Sequence, residues 1–371
     1  MAVDVRTVVG WMESWAPPAL AEPDDKIGLQ IGSMKTKVDR VAVALDVTEA
    51  VVDEAIARGA GLIVAHHPII FRPLAAIRTD RADGKLIRKL LTHDIAVYAS
   101  HTNLDVAVGG VNDLLADALG LTATKPLKKS VVETLYKLVT YVPPSHADAV
   151  REAVFAAGAG HIGKYSHCGF TIEGTGTFLP EEGAAPFAGE PGRLESAAEL
   201  RFETIVPESR KADAVKALLA AHPYEEVAYD VFKLELSGTA LGLGRVGTLA
   251  SPTTLQAFAE RAKAAFGVPA LRYVGAPEKP VRRVAVLGGS GRSYVKHAVA
   301  AGADVFVTGD LDHHTAHDAL AAGLALVDPG HHIEQIMKAA VAARLNAHAA
   351  ERGWDVEAFA SSGSTEPFVF L

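Results

Sequence analysis

Gly61–His67, with the sequence GLIVAHH, is a short apolar run that ends in two histidines. A second run of this kind lies far downstream, where Leu324–Val327 (LALV) leads into Asp328–Glu334 (DPGHHIE). Short apolar runs flanked by helix-like sequence are typical of buried parallel strands. Ligands of open α/β sheets bind just beyond the carboxyl ends of such strands. Imidazoles and carboxylates at these positions therefore predict a metal site.

The chain contains an internal repeat around these runs. Segments 38–45 (VDRVAVAL) and 281–287 (VRRVAVL) match, and each is followed by helix-like sequence and a glycine turn into a second apolar strand. Each copy therefore has three predicted strands with helices between them, and in this register His67 falls opposite Asp310. The remaining predicted strands are 59–67 and 95–99 in the first copy, and 302–310 and 324–327 in the second.

Between the two copies lies a segment with a repeat of its own. Strand-like segments 137–143 and 201–207 each precede helix-like sequence and then further strand-like sequence. Two β-α-β halves in tandem are typical of a ferredoxin-like domain, and a surface loop accepts an insert whose ends lie close together. We therefore predict an α/β fold in which a duplicated β-α-β host domain, 1–125 and 237–371, is split in sequence by an inserted ferredoxin-like α+β domain, 126–236.

Composition narrows the class of protein. The chain has 371 residues, a length that is enough for two or three globular domains. Of these residues 49% are hydrophobic and 22% charged, as is usual for a globular protein. With 36 Lys and Arg against 44 Asp and Glu and no basic block, nucleic acid is not expected as a partner. The single cysteine, Cys168, excludes an intrachain disulfide, and the first residues show no signal-peptide pattern, so we expect a cytoplasmic protein. No apolar stretch reaches the roughly 18 residues of a membrane span.

The predicted strand ends offer three imidazoles and two carboxylates as metal ligands: His66, His67, Asp105, His331 and Glu334. This is a small ligand set for two ions unless a carboxylate or water bridges them, and open positions are typical of catalytic sites. A single strand-end histidine is more often a hydrogen-bonded structural residue. Two His-His pairs with Asp and Glu, all at strand ends of one duplicated sheet, favour the metal site.

Other motifs give weaker indications. His101, His313 and His314 are better interpreted as partners of the ligands or substrate contacts than as ligands themselves. The turn Gly288–Gly291 (GGSG) resembles a phosphate-binding loop but lacks the Walker lysine and the full GxGxxG spacing. A tight strand-to-helix turn is therefore its default interpretation.

Several segments together resemble the GTP cyclohydrolase 1 type 2 family, also known as Nif-three-like dinuclear metal-centre proteins. The resemblance covers essentially the whole chain. Two features differ from many relatives. Lys26 stands where many of them show Asn, and His331 and Glu334 are spaced i, i+3, as in long-form members, whereas short forms often show i, i+4. The matching segments are Gly28–Gly32 (GLQIG), Ala65–Pro68 (AHHP), Ser100–Asp105 (SHTNLD), Thr308–Asp310 (TGD) and Gly330–Glu334 (GHHIE).

The resemblance implies a cofactor and an assembly. It implies two divalent metal ions per chain, held by His66, His67, Asp105, His331 and Glu334. Mixed histidine and carboxylate ligands accept Zn, Fe, Mn, Co or Ni, so the identity of the metal stays open. It also implies a toroidal homohexamer with the metal sites facing an inner cavity, and a middle domain similar to PII-type or CutA-type modules.

The family name implies hydrolytic opening of the imidazole ring of GTP with release of formate. A water of lowered pKa would attack C8 of the purine, and His101 or His314 would carry protons. Fold alone does not determine a reaction, so two alternatives stay open. One is another metal-dependent hydrolase acting on a nucleotide or phosphoester; the other is a non-enzymatic, metal-bearing hexamer that binds a partner or metabolite.

Overall fold

The computed structural model describes residues 2–370 and has a mixed α/β fold. Its β-strands are β1 (Val3–Asp4), β2 (Gly28–Ile31), β3 (Lys37–Val38), β4 (Arg40–Ala44), β5 (Leu62–Ala65), β6 (Ala96–Ala99), β7 (Thr122–Val142), β8 (Gly169–Phe178), β9 (Glu195–Pro207), β10 (Tyr229–Thr254), β11 (Arg272–Val274), β12 (Pro280–Ser290), β13 (Val305–Gly309), β14 (Ala325–Asp328) and β15 (Glu357–Ala360).

Helices connect most of these strands. The α-helices are α1 (Val5–Trp15), α2 (Glu49–Ala57), α3 (Ala82–Thr92), α4 (Thr102–Val106), α5 (Val111–Ala118), α6 (Ala147–Ala156), α7 (Glu208–Ala221), α8 (Leu255–Phe266), α9 (Val295–Ala300), α10 (His313–Ala321) and α11 (Ile336–Arg352). Short 3₁₀ helices occupy Pro18–Leu20, Pro144–His146, Arg292–Tyr294 and His331–Gln335. None of the described helices combines the length and apolarity needed to cross a membrane.

The chain divides into two compact units. The first consists of Met1–Val131 and Leu241–Leu371, and the second of Val132–Ala240. Both divisions fall inside long strands, β7 and β10. The sequence pattern puts the boundaries a few residues earlier, at 125/126 and 236/237, where no break in strand character exists.

One sheet of the first unit has the order β15-β4-β5-β6-β2. Strands β15, β4, β5 and β6 run parallel, and β2 is antiparallel at the edge. Every residue of β5 and β6 is buried. Alternate side chains of β5 enter two different cores, with Leu62 and Val64 on one face and Ile63 and Ala65 on the other. Burial on both faces explains why these strands are continuous apolar runs rather than alternating ones.

A second parallel set in the same unit is formed by β12, β13 and β14. Strand β11 pairs with β14 and β10 pairs with β12, both antiparallel. The register aligns Val284 with Val305 and Val305 with Ala325. The set β4, β5 and β6 aligns Val41 with Leu62 and Leu62 with Ala96 in the same way. The carboxyl ends of each set therefore bring three connecting segments to one sheet edge.

In the second unit the elements follow the chain as the end of β7, then α6, β8, β9, α7 and the start of β10. The strands neighbour one another in the order β10-β7-β9-β8, and β9 is antiparallel to both β7 and β8. Helices α6 and α7 pack together over a core of their own. This core contains Leu138, Val142, Ala147, Val150, Val154, Ala159, Phe202, Val206, Ala214 and Leu218.

Candidate metal centre

Six residues from three strand ends of the first unit converge on one point. His66 and His67 follow directly after β5, His101 and Asp105 follow β6, and His331 and Glu334 follow β14. The ring of His67 is central among the imidazoles. Its centroid lies 5.2 Å from that of His66, 5.7 Å from that of His101 and 5.1 Å from that of His331.

Short helices present the downstream pairs. His331 and Glu334 lie in a 3₁₀ helix, in which residues i and i+3 are almost eclipsed because there are three residues per turn. Gly330, with a φ of 88°, allows the sharp entry into this helix. His101 and Asp105 are related by one helical turn, since the Asp105 N–H donates to the His101 carbonyl. Both pairs therefore project from one face of a short helix.

Glu334 lies between two groups of ligand atoms. Its Oε2 is 3.1 Å from His67 Nε2 and 3.3 Å from His331 Nε2, while its Oε1 is 3.8 Å from His66 Nε2. Asp105 Oδ1 lies on the His66 side, 3.6 Å from His66 Nε2. The carboxylate is thus oriented as a bridge between a His67–His331 group and a His66–Asp105 group.

Three triads of this cluster have ligand atoms within 4.8 Å of one another. They are His66, Asp105 and Glu334; His67, His331 and Glu334; and His66, His67 and His101. The first two share Glu334, and the third adds His101 to the residues able to contact an ion. Five residues expected as ligands and one expected as a proton carrier are thus brought together.

Two buried atoms in the centre test whether a metal ion fits. His66 Nε2 and Asp105 Oδ1 are inaccessible to solvent and have no hydrogen-bond partner. Leaving a buried nitrogen and a buried carboxylate oxygen unpaired costs about 1–3 kcal/mol each. Their separation of 3.6 Å is too long for a hydrogen bond but suits two ligands of one cation, each about 2.0–2.2 Å from it. The donor set therefore fits a divalent ion.

Each of the four imidazoles is oriented by an acceptor at Nδ1, which leaves Nε2 for the centre. Hydrogen bonds of this kind fix the tautomer and ring orientation of metal-binding histidines. The pairs are His66 with the Ser100 carbonyl at 3.0 Å, His67 with Asp46 at 2.7 Å, His101 with Asp25 at 2.8 Å, and His331 with Asp310 at 2.7 Å. Four rings held alike indicate preorganisation for a cation.

The charges of the ion-free centre follow from these contacts. Burial acts to lower the pKa of His67, but its hydrogen bonds to Asp46 and Glu334 raise that pKa to about 10. The hydrogen bond to Glu334 likewise raises the pKa of His331 to about 9. Burial raises the pKa of Asp105 to about 6, against the attraction of His66. Without metal, protons on His67 and His331 thus offset the charge of the neighbouring carboxylates, and a cation would take the place of these protons.

The glycine turn after β12 packs directly against the centre. Gly289 has a φ of 62°, and a Cβ there would lie 2.8 Å from Glu334 Oε1 and 3.2 Å from His331 Nε2. A Cβ on Gly288 would also approach Glu334 Oε1 to 2.8 Å. The turn is glycine-rich because the bridging carboxylate occupies the space of a side chain.

Two other histidines, His314 and His332, lie elsewhere. His314 is exposed on α10, its ring against that of His313, and it belongs to none of the three triads. His332 turns its Nε2 to Thr365 at 3.2 Å. Sequence reasoning missed the orienting carboxylates Asp25 and Asp46. The only sequence signal for Asp46 is its position just beyond β4, another strand end of the sheet.

The fold and the centre together define an α/β protein with a histidine–carboxylate cluster able to bind metal. A family model described as Duf34/NIF3 (NGG1p interacting factor 3) matches residues 3–367. The chain therefore belongs to the DUF34/NIF3 family, and the resemblance read from its motifs is confirmed.

Curated and structural relatives agree with this assignment. A protein of Halalkalibacterium halodurans named GTP cyclohydrolase 1 type 2 homolog is 53% identical over 366 residues, which cover 99% of this chain and 98% of the relative. A protein of the same name from Bacillus subtilis is 50% identical over 370 residues, covering 100% and 99%. The crystal structure of a Bacillus cereus protein related to NIF3 superposes with a TM-score of 0.93 at 50% identity, with full coverage of both chains.

Proposed function

We propose that this protein is a di-metal hydrolase that opens the imidazole ring of GTP and releases formate. The observation that carries the proposal is the Glu334 carboxylate, whose two oxygens face two separate groups of ligand atoms. Curated relatives named GTP cyclohydrolase 1 type 2 homolog supply the candidate reaction.

We assign two divalent ions to the centre. His66, Asp105 and Glu334 would hold one, and His67, His331 and Glu334 the other. When bound, such ions supply Lewis acidity, which lowers the pKa of water toward neutrality. Three nitrogens and two carboxylates suit Zn, Fe, Mn, Co or Ni.

His101 is our candidate proton carrier. Its Nδ1–H donates to Asp25, and although burial opposes this, the hydrogen bonds from His101 and Thr102 keep the pKa of Asp25 far below its usual range. The hydrogen bond to Asp25 fixes the His101 tautomer and leaves Nε2 free to take up a proton and return it. We leave His314 out of this role because it is exposed on α10.

The reaction consumes two water molecules in its hydrolytic part. The first water adds across the C8–N7 double bond: its oxygen bonds to C8, and His101 Nε2 accepts one of its protons and passes that proton to N7. The C8–N9 bond then breaks as the C8 hydroxyl becomes a carbonyl, the hydroxyl proton passes to N9, and a formamide remains on N7. The second water cleaves that formamide into formate and a free amine. Both additions are attacks on an electron-poor carbon, which one general base can assist in turn.

The finer architecture belongs to the same proposal. We propose that the host domain arose by duplication, which the equivalent registers of β4–β6 and β12–β14 support. We propose a ferredoxin-like, PII/CutA-type insert, supported by the β-α-β-β-α-β order of the second unit.

We further propose a cytoplasmic homohexamer that acts on a small nucleotide-like substrate. Light scattering of the metal-loaded protein tests the hexamer.

Metal analysis combined with a formate assay tests the function. Metal-loaded protein should hold about two ions per chain, as in other two-metal sites, and release formate from GTP. His67→Ala and Asp105→Ala should abolish release, while His317→Ala, an exposed histidine on α10, should not change it.

Three results would redirect the proposal. Formate release that persists in both ligand variants would contradict it. Phosphate release from a nucleotide or phosphoester without formate would identify the other hydrolase class. Fully metallated protein that turns over no nucleotide or phosphoester would favour the binding scaffold.

A further inference from the structure

A cavity of about 990 Å³ opens beside the candidate metal centre. His67 and His331 line it, and so does every residue of the segment Thr365–Phe370. Ligand pockets of proteins commonly enclose about 300–1,000 Å³, so the volume suits a small organic molecule. We propose that this cavity binds an uncharged, planar heteroaromatic group, and that the segment Thr365–Phe370 selects for it.

The segment is attached to the centre itself. The Thr365 hydroxyl donates to Asp46 Oδ2, while Asp46 Oδ1 accepts from His67 Nδ1. The Thr365 N–H also donates to His332 Nε2 at 3.3 Å. Just upstream, Lys338 Nζ donates to the Gly363 carbonyl at 3.3 Å. These bonds hold the segment beside the centre, so its following residues form a wall of the cavity.

That wall is apolar and uncovered. Phe368, Val369 and Phe370 are 72%, 86% and 45% exposed, and all three line the cavity. Leu271 and Leu311 line it as well. Aromatic and aliphatic side chains around a few polar groups are the usual lining of a small-molecule site, since burying them against a flat ring is favourable.

The charges of the wall disfavour a polyphosphate as its occupant. Among the described lining residues, Arg272 is the single lysine or arginine, and its guanidinium is paired with Asp328 at 2.8 and 3.0 Å. The lining carboxylates are Asp46, Asp310, Asp328 and Glu366. Asp46 and Asp310 belong to the metal centre and Asp328 is paired with Arg272. Away from the centre, an anionic chain would therefore meet Glu366 and no unpaired lysine or arginine among the described lining residues, which disfavours it electrostatically. An uncharged ring with N–H donors suits the same wall.

This inference rests on the proposed function in one respect, the choice of a purine as the ring. It deepens that function because it assigns the cavity to the base of the nucleotide and not to its triphosphate. Guanosine, which carries the base without phosphates, is therefore the probe.

Equilibrium binding of guanosine and of GTP to the metal-loaded full chain tests the inference. Guanosine should bind, and GTP should bind within about tenfold of it, because the phosphates gain no partner in the cavity. Removal of residues 367–371 should weaken guanosine binding by at least about tenfold, since the apolar wall is lost, with unchanged metal content. Phe370→Ala tests the wall without shortening the chain, and Phe170→Ala, a 63% exposed aromatic in the second unit, is the matched control.

The inference is overturned if guanosine does not bind, or if its affinity is the same in wild type, the shortened chain and Phe370→Ala. It is equally overturned if GTP binds much more than tenfold tighter than guanosine. The formate assay separates this outcome from the proposed function. Segment-dependent guanosine binding without formate release refutes the hydrolase and keeps the cavity assignment; formate release with segment-independent binding does the reverse.

Discussion

The two parallel sets β4–β6 and β12–β14 share one register but carry different chemistry at their ends. After their third strands, β6 and β14, both sets carry a carboxylate at the same distance along the sequence. Asp105 lies nine residues after Ala96, Glu334 lies nine residues after Ala325, and both alanines occupy the same register position. Each carboxylate sits in a short helix that points it into the centre. Because the two sets share one strand register, they place two carboxylates at equivalent positions in the centre.

The first and second strands differ. His67 and Asp310 are equivalent, yet His67 faces Glu334 while Asp310 orients His331. Asp46 and Gly289 are also equivalent, yet Asp46 orients His67 while Gly289 leaves room for Glu334. The first set therefore places a candidate ligand after its second strand. The second set places an orienting acceptor at the equivalent position, and a glycine that leaves room for Glu334 after its first strand. A shared backbone thus determines where a side chain lies, and the residue type determines what it does.

Neutralising Glu334 and neutralising Asp105 should have clearly different effects on metal affinity. Glu334→Gln should lower affinity for both ions by more than about 100-fold, because losing a ligand must exceed the 10–100-fold effect of an orienting partner. Asp105→Asn should affect one ion only, because Asp105 belongs to a single triad without His331. Metal titration followed by mass spectrometry of bound metal measures both. Equal losses in the two variants would contradict a bridging role for Glu334.

Gly289→Ala tests whether Glu334 needs the room that a glycine after β12 leaves for it. The added Cβ would lie 2.8 Å from Glu334 Oε1, and the left-handed φ of 62° costs about 1–2 kcal/mol for alanine. We expect a lower melting temperature and weaker binding of both ions. Gly302→Ala is the matched control, since Gly302 has a φ of 67° and open space around it. If both variants lose metal affinity equally, strain and not contact with Glu334 is responsible.

Replacing the orienting acceptors Asp46 and Asp310 should lower metal affinity less than replacing Glu334. Asp46→Asn and Asp310→Asn should each weaken metal affinity about 10–100-fold while the fold persists. Asparagine tolerates the left-handed φ of 57° at Asp310, so this exchange alters charge without straining the backbone. Asp318→Asn, an exposed carboxylate on α10, is the control for lost surface charge. Unchanged affinity in both variants would show that the orienting bonds are dispensable.

Much of this arrangement could be predicted from the sequence because it depends on local patterns. The run at 62–65 coincides with β5, and the i, i+3 spacing of His331 and Glu334 matches their shared helix face. The orienting bonds could not be predicted, because the contact of Asp25 with His101 spans 76 residues and depends on the assembled sheet. The assembled sheet also determines that His101 lies within ligand distance of His66 and His67.

The domain boundaries illustrate the same limit. β7 and β10 are 21 and 26 residues long, and the compact units divide within them, at 131/132 and 240/241. A change of domain inside a continuous strand leaves no turn residues or composition shift in the sequence. Helix and strand patterns therefore indicate that the middle segment differs from its flanks better than they locate its ends.

Deleting the insert should have the smallest effect on the centre. The cores that contain β4–β6 and β12–β14 include no described residue of 132–240, so replacing that segment with a short glycine linker should leave metal content unchanged. The ends can be joined, because a Cβ on Gly242 would lie 1.9 Å from the Lys128 carbonyl oxygen, which makes these two strands neighbours.

Metal analysis and thermal unfolding of the shortened chain check this expectation, with the isolated 132–240 segment measured in parallel. The isolated segment should unfold cooperatively, because it has a separate core around Leu138, Val150 and Phe202. Failure of both pieces to fold would refute the split-domain proposal. A folded shortened chain without metal would instead mean that the two parallel sets need the insert to align their ends, and the equivalence of Asp105 and Glu334 would then depend on more than their shared register.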